Sequence, residues 1–171
     1  FTLTSIGYDW GKTLGRDRAS LRLDYVYNNR DANANTRDLS NVLTLSGKWE
    51  DGDWGVWTDA GVGRGYFAQP DLAGLSVMPF YRLSELLQFV LRYTWIDSDG
   101  VNGLRLGRYE NAVVEGRGDR YDEIYAGVNL FFYGHKLKWQ SGIQYAEMED
   151  SAEDGGTYRG WGIGTALRLS W

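Results

Sequence analysis

The sequence predicts an all-β fold, an antiparallel transmembrane β-barrel, and three observations support this prediction. Apolar and polar residues alternate with a period of two over most of the chain, which is typical of strands with two different faces. Short and long polar connections alternate between the predicted strands. Aromatic residues make up 15% of the 171 residues, yet no stretch approaches the roughly 18 consecutive apolar residues of a membrane helix.

Nine strands are predicted. Residues 1–10 form the first, but their alternation leaves open which side chains share a face. The apolar faces of the other eight, in chain order, are Leu21, Leu23, Tyr25 and Tyr27; Leu39, Leu43, Leu45 and Trp49; Trp54, Val56, Thr58, Ala60, Val62 and Tyr66; Leu75, Val77, Pro79, Tyr81 and Leu83; Leu87, Phe89, Leu91, Tyr93 and Trp95; Ile124, Ala126, Val128, Leu130 and Phe132; His135, Leu137, Trp139, Ser141, Ile143 and Tyr145; and Trp161, Ile163, Thr165, Leu167, Leu169 and Trp171. In a barrel these residues face lipid. Pro79 cannot donate a ladder hydrogen bond, so we expect a β-bulge there.

The connections orient the predicted strands. Short links are expected at 11–17, 50–53, 84–85 and 133–135, and long polar links at 29–38, 68–72, 97–120 and 149–157. Outer-membrane barrels have short periplasmic turns and longer extracellular loops. The C-terminus is therefore expected on the periplasmic side.

A soluble β-sandwich is the main alternative, because its strands also alternate. Three features favour the membrane barrel: strands longer than the usual five or six residues, the alternating loop lengths, and Trp and Tyr near the strand ends. Single-chain bacterial barrels have even strand numbers. Nine strands therefore predict that residues 1–171 form one barrel domain that is the C-terminal part of a larger barrel, and that residues 1–10 or 159–171 pair with further strands.

Four segments of the C-terminal half are distinctive: LLQFVLRYTWIDSDG (86–100), YDEIYAGVNLFFYGHKLKWQ (121–140), KLKWQSGIQYAEMED (136–150) and GGTYRGWGIGTALRLSW (155–171). They resemble the phosphate-selective porin O and P family. The resemblance implies a sixteen-stranded, trimeric outer-membrane porin, with these nine strands as its last nine and its inward-folded third loop in the preceding half. The aromatic C-terminus after Leu167 and Leu169 resembles the signal read by the barrel-assembly machinery.

Charges on the predicted inward faces are the main functional signal. Seven bases oppose four acids there, Asp24, Glu50, Asp59 and Glu123, although the whole chain has a net charge of −5. The seven candidate pore-lining bases are Arg22, Lys48, Arg82, Arg92, Lys136, Lys138 and Arg168. Basic rings favour anions in pores. The alternative is that both signs of charge merely keep the lumen hydrated.

Other motifs give weaker signals. The acidic segment 147–154 could supply oxygen ligands to Ca²⁺, but it lacks EF-hand spacing, which favours a solvated loop. The 97–120 loop has mixed charge and is expected to fold over the pore mouth or contact lipopolysaccharide. GVGRG (61–65) lacks the Lys-Ser/Thr pair of a P-loop. The one histidine, His135, has no partner arrangement for catalysis.

These observations predict an outer-membrane porin of a Gram-negative bacterium that passes small polar solutes by diffusion, possessing neither catalytic activity nor a cofactor. The expected partners are outer-membrane lipid and lipopolysaccharide, small anions or polar solutes, and further copies or barrel strands. The net negative charge gives no support for nucleic acid as a binding partner. The alternatives are a small structural or adhesive barrel with partner-binding loops, and a barrel enzyme. The number of strands distinguishes the small structural or adhesive barrel from the porin, because the side chains of a barrel of about eight strands fill its lumen, whereas sixteen strands leave a channel.

Overall fold

The computed structural model describes residues 1–29, 38–107, 110–133 and 136–170. It contains nine antiparallel strands in one sheet, ordered β1 to β9 as in the chain, which confirms the predicted strand number and pairing. The strands are β1 Thr2–Asp9, β2 Arg18–Tyr27, β3 Leu39–Asp51, β4 Trp54–Gly65, β5 Leu72–Arg82, β6 Leu87–Ser98, β7 Arg120–Tyr133, β8 Leu137–Glu149 and β9 Tyr158–Leu169. The described helices are single turns, α1 Gly11–Leu14 and a 3₁₀ turn at Glu110–Ala112.

The connections divide the sheet into two ends. Residues 10–17, 52–53, 83–86 and 134–136 join strands at one end, called here the turn end. Residues 28–38, 66–71, 99–119 and 150–157 join them at the other, called the loop end. Within each successive pair the turn-end connection is shorter than the loop-end connection that follows it. At 10–17 the link contains α1, which stops at Gly15 in the left-handed conformation (φ 64°).

The strand register separates the side chains into two faces. Directly opposed residues of an antiparallel pair lie on the same side of the sheet. Starting from Ile143, the register aligns Ala126 on β7 and Ile163 on β9, and the predicted outward residues Trp139, Leu167 and Leu169 fall on this same apolar face. Large exposed hydrophobic side chains cover it from Ile6 in β1 to Leu169 in β9. Trp171 lies outside the described residues.

The opposite face, the polar face, is more enclosed although the sheet is a single layer. Gln88, Glu123 and Asn129 are buried there, while apolar-face side chains such as Ile163 (84% exposed) are open. Two rings lie flat on glycines of this face: Phe80 over Gly55, and Tyr125 over Gly127 and Gly142. This difference in burial indicates that the sheet curves toward its polar face, since side chains converge on a concave surface.

The sheet is open, with β1 and β9 as its edges. The register also resolves the face of β1, where Thr4, Ile6 and Tyr8 join the apolar face. Eight antiparallel steps separate β1 from β9, so the two edge strands run in the same direction.

The predicted bulge at Pro79 is wrong. The β5–β6 ladder lapses at residues 78 and 79 and resumes in the same register, so the missing N–H is accommodated by skipped pairs. Register shifts occur instead between Leu39 and Asn41 in β3 and between Phe131 and Tyr133 in β7. The first shift turns Leu39 from the predicted apolar face toward Gly63 on the polar face.

Candidate functional site

The polar face is the candidate functional site, because it gathers most of the strand-borne charge. Six of the seven predicted bases lie in strands, and the register places them all on this face. The seventh, Lys136, directly precedes β8, and its carbonyl accepts a hydrogen bond from the N–H of Ser170. Their role in lining a pore stays a prediction.

A compact charge cluster occupies the turn end of β2 to β5. The Glu50 carboxylate accepts a hydrogen bond from Arg18 (3.3 Å) and one from the indole N–H of Trp57 (2.9 Å), and it pairs with Arg82 at 3.6 Å. The Lys48 ammonium lies 4.4 Å from the centre of the Trp57 ring. Three bases thus surround one carboxylate and one indole.

A second group lies midway along β6 and β7. Arg92 donates to Glu123 at 2.7 Å, and the Tyr121 hydroxyl donates to the other oxygen of the same carboxylate at 2.9 Å. The Arg92 guanidinium also lies 5.2 Å from the centre of the Tyr125 ring. Because Glu123 is buried, Arg92 supplies the charge that makes its burial possible.

The bases near the start of β8 have no acidic partner among the described residues. Lys138 is directly opposite Arg168 on β9. Within the described residues, no carboxylate lies within 4 Å of either side chain or of Lys136. Aromatic rings lie near two of these bases. The centre of the Phe131 ring is 5.9 Å from the Lys138 ammonium, and the centre of the Tyr133 ring is 6.0 Å from that of Lys136. This part of the face therefore carries uncompensated positive charge.

Three amides cross the face between the charged groups. Gln140 donates to Asn129 at 2.7 Å, and Asn129 donates to Gln88 at 2.8 Å. These residues occupy one register row across β8, β7 and β6. The row keeps this part of the polar face hydrophilic without adding charge.

The long loop between β6 and β7 folds onto the polar face at the loop end. Leu104 and Leu106 are buried there against Met148. The Asp119 carboxylate accepts the backbone N–H of Asn102 (2.6 Å) and of Ser151 (2.7 Å), and it thereby joins this loop to the loop after β8. The pKa of Asp119 is lowered by hydrogen bonds. The largest effect comes from the side chain of Ser151, and the backbone N–H groups of Ser151 and Asn102 add to it.

The acidic segment 147–154 is organised around Asp150 rather than around a cation. The Asp150 carboxylate accepts backbone N–H groups from residues 152, 154, 155 and 156 at 2.8 to 3.1 Å. These hydrogen bonds lower the pKa of Asp150, and the one from the backbone N–H of Gly156 has the largest effect. Glu147 pairs with Arg159. In the described part of the chain, no group of three or more carboxylate, imidazole or thiol side chains is arranged to hold a metal ion.

Two functional candidates were not found from the sequence. Arg18 lies on the polar face, four residues before Arg22, and extending the alternation of β2 by two steps would have found it. Glu110 belongs to the loop and reaches the polar face only through the path of the backbone. No periodic signal could have placed it there.

Two residues named in the sequence predictions fall outside the described residues, His135 and Trp171. Among the residues that are described, no helix is long and apolar enough to span a membrane.

Comparison with protein-family models, with curated proteins and with solved structures found no match to this chain. The resemblance to phosphate-selective porins therefore stays a prediction.

Proposed function

We propose that this chain is part of an outer-membrane porin of a Gram-negative bacterium, through which small polar solutes diffuse passively. One observation carries the proposal: a single-layer sheet has one largely apolar face that is exposed and one polar, charged face that is less exposed around its centre. Exposed apolar patches larger than a few hundred Å² are rare on soluble monomers. Contact with lipid on one face and water on the other accounts for both.

The apolar face has a height that suits the outer membrane. On β9 it extends from Trp161 to Leu169, about 27 Å along the strand, or roughly 20 Å after the usual tilt of about 40°. The apolar band of such barrels is about 25 Å tall. At the loop end of the same face, one register row contains Trp95, Asp122, Glu147 and Arg159. This charged row matches the level at which lipopolysaccharide headgroups would begin.

The open edges favour a larger barrel. Unpaired backbone groups are very unfavourable in lipid, so β1 and β9 need partners. Because these two strands run in the same direction, closing an entirely antiparallel barrel requires an odd number of further strands. Seven more would give the sixteen strands implied by the porin resemblance, and a trimer of such barrels is the assembly that it implies.

A modest anion preference is proposed from the ion pairs of the polar face. Arg22, Arg82 and Arg92 each have a carboxylate partner. Four bases remain without one within the described residues, namely Lys48, Lys136, Lys138 and Arg168. Uncompensated bases attract anions, and salt weakens this bias because the Debye length is about 8 Å at physiological ionic strength.

Planar-bilayer recording of the purified protein tests the proposal. We expect stepwise ohmic conductance, and a reversal potential under a salt gradient that indicates preference for anions. Replacing Arg92, Lys138 and Arg168 together with Gln should reduce this preference. Cation selectivity of the unmodified protein would contradict the anion preference alone, whereas absence of any channel would contradict the porin and favour the structural or adhesive barrel.

A further inference from the structure

The loop between β6 and β7 is attached to the polar face by an apolar core of its own. Leu104 and Leu106 are each 8% exposed and Met148 is 1% exposed. Around them pack Leu72, Ile96, Val114, Tyr121 and Tyr158. This burial holds the loop against the sheet, because aliphatic side chains gain free energy when they are removed from water.

Polar contacts attach the same loop to its neighbours on both sides. Leu104 and Gly118 exchange backbone hydrogen bonds at 2.8 and 3.1 Å, which closes the base of the loop. Arg117 donates to Gln69 in the loop after β4 at 3.1 Å. Asp119 bonds to the loop after β8, as described above. The described part of this loop, residues 99–107 and 110–119, is therefore held from three directions.

The loop carries Glu110 deep onto the polar face. Gln144 donates to the Glu110 carboxylate at 3.0 Å. Gln144 lies five residues before the end of β8, about 17 Å from the loop end along the strand. In the register it is opposite Tyr125, which is opposite Arg92. Glu110 therefore lies near the middle of the wall, and no base pairs with it within 4 Å in the described residues.

We infer that residues 99–107 and 110–119 form a fixed constriction on this wall of the pore, with Glu110 at its rim as a specificity-determining residue. The inference rests on the proposed porin function and adds to it. Loop bulk next to Tyr121 and Met148 limits the size of solutes that pass. The Glu110 carboxylate favours cations at the level of Arg92 and so opposes the anion preference of the turn-end bases.

Glu110→Gln tests the charge of the constriction. Removing one charge from a watery passage should raise the anion-to-cation permeability ratio about 1.5- to 2-fold at physiological salt. Glu153→Gln is the control, because Glu153 is an exposed carboxylate at the same end of the sheet and lies outside the proposed constriction. We expect the control to leave the reversal potential unchanged.

Leu104→Ser combined with Leu106→Ser tests the size of the constriction. Detaching the loop should raise the single-channel conductance and admit oligosaccharides that the unmodified protein excludes in liposome-swelling assays. Val113→Ser is the control, because Val113 is 78% exposed. If Glu110→Gln and the double variant both behave like the unmodified channel, the inference is wrong and the porin stands. A protein that forms no channel overturns both.

Discussion

At the scale of single residues, the bases of the polar face belong to two energetic classes. Arg92 neutralises the buried carboxylate of Glu123, whereas Lys138 and Arg168 are directly opposite each other and have no carboxylate partner among the described residues. Like charges directly opposite in a sheet are destabilising, and a buried carboxylate that loses its base is costly. The pair of Lys138 and Arg168 therefore does not stabilise the sheet, which agrees with its proposed role in attracting anions.

Glutamine substitutions should separate these two classes. We expect Arg168→Gln to raise the free energy of unfolding by about 0.2 to 1 kcal/mol, because it removes a like-charge contact. Arg92→Gln should lower it by about 1 to 2 kcal/mol, a value reduced from that of a fully buried pair because the Arg92 side chain is 39% exposed. Urea unfolding in detergent measures both. Equal effects of the two substitutions would contradict the distinction.

Asp150 should control the order of residues 150–157. Its lowered pKa means that its hydrogen bonds to the loop backbone are fully present above the unfolded pKa of about 3.8, and are lost as the pH falls through the lower folded value. Between pH 5 and 7 the loop should therefore not respond to pH, whereas Asp150→Asn should speed amide exchange at Gly155 and Gly156. Glu153→Gln is the control, since Glu153 is exposed. Unchanged exchange in Asp150→Asn would refute this role.

At the scale of elements, the absence of side chains at Gly127 in β7 and Gly142 in β8 leaves the space that the Tyr125 ring occupies. A Cβ on Gly142 would lie 2.4 Å from that ring, whereas a Cβ on Gly164, its direct partner on β9, would meet nothing within 4 Å. Gly142→Val should therefore cost about 1 to 3 kcal/mol of unfolding free energy. Gly164→Val should cost markedly less. The same urea titration measures both, and similar losses would show that the ring is free to move aside.

The strands could be predicted from the sequence, because a period of two is a local property that directly reflects two different environments. Leu167 and Leu169 show it plainly, and their face was predicted correctly. The bulge in β3 could not be predicted, since Leu39 changes face through pairing with a strand more than twenty residues away. The same limit applies to Glu110, whose position depends on loop packing against Met148. Arg18 was missed for a simpler reason, because the predicted second strand starts at Leu21 and β2 starts at Arg18.

At the scale of the whole molecule, the single-layer sheet buries few apolar side chains in a core, and its two faces are suited to two different environments. Only the small cluster around Met148 is a hydrophobic core in the usual sense within the described residues. Most of the remaining large apolar side chains lie on the exposed apolar face, although Phe80 and Phe131 are buried on the polar face. Such a sheet is stable only where something apolar covers that face. A lipid bilayer would cover all nine strands at once, whereas a second protein layer would need a matching surface of equal area.

Two tryptophans on one strand provide a direct test of lipid contact. Trp54 is 64% exposed on the apolar face beside Tyr81, and Trp57 lies on the polar face bonded to Glu50. In vesicles of lipids brominated on the acyl chains near the headgroup, Trp54→Phe should reduce the fluorescence that bromine quenches, because this exposed indole would contact acyl chains in the proposed porin. Trp57→Phe should instead reduce the fraction quenched by aqueous iodide, which would reach the polar face through the proposed pore. If bromine quenches neither indole, the apolar face is covered by protein, and the membrane assignment fails.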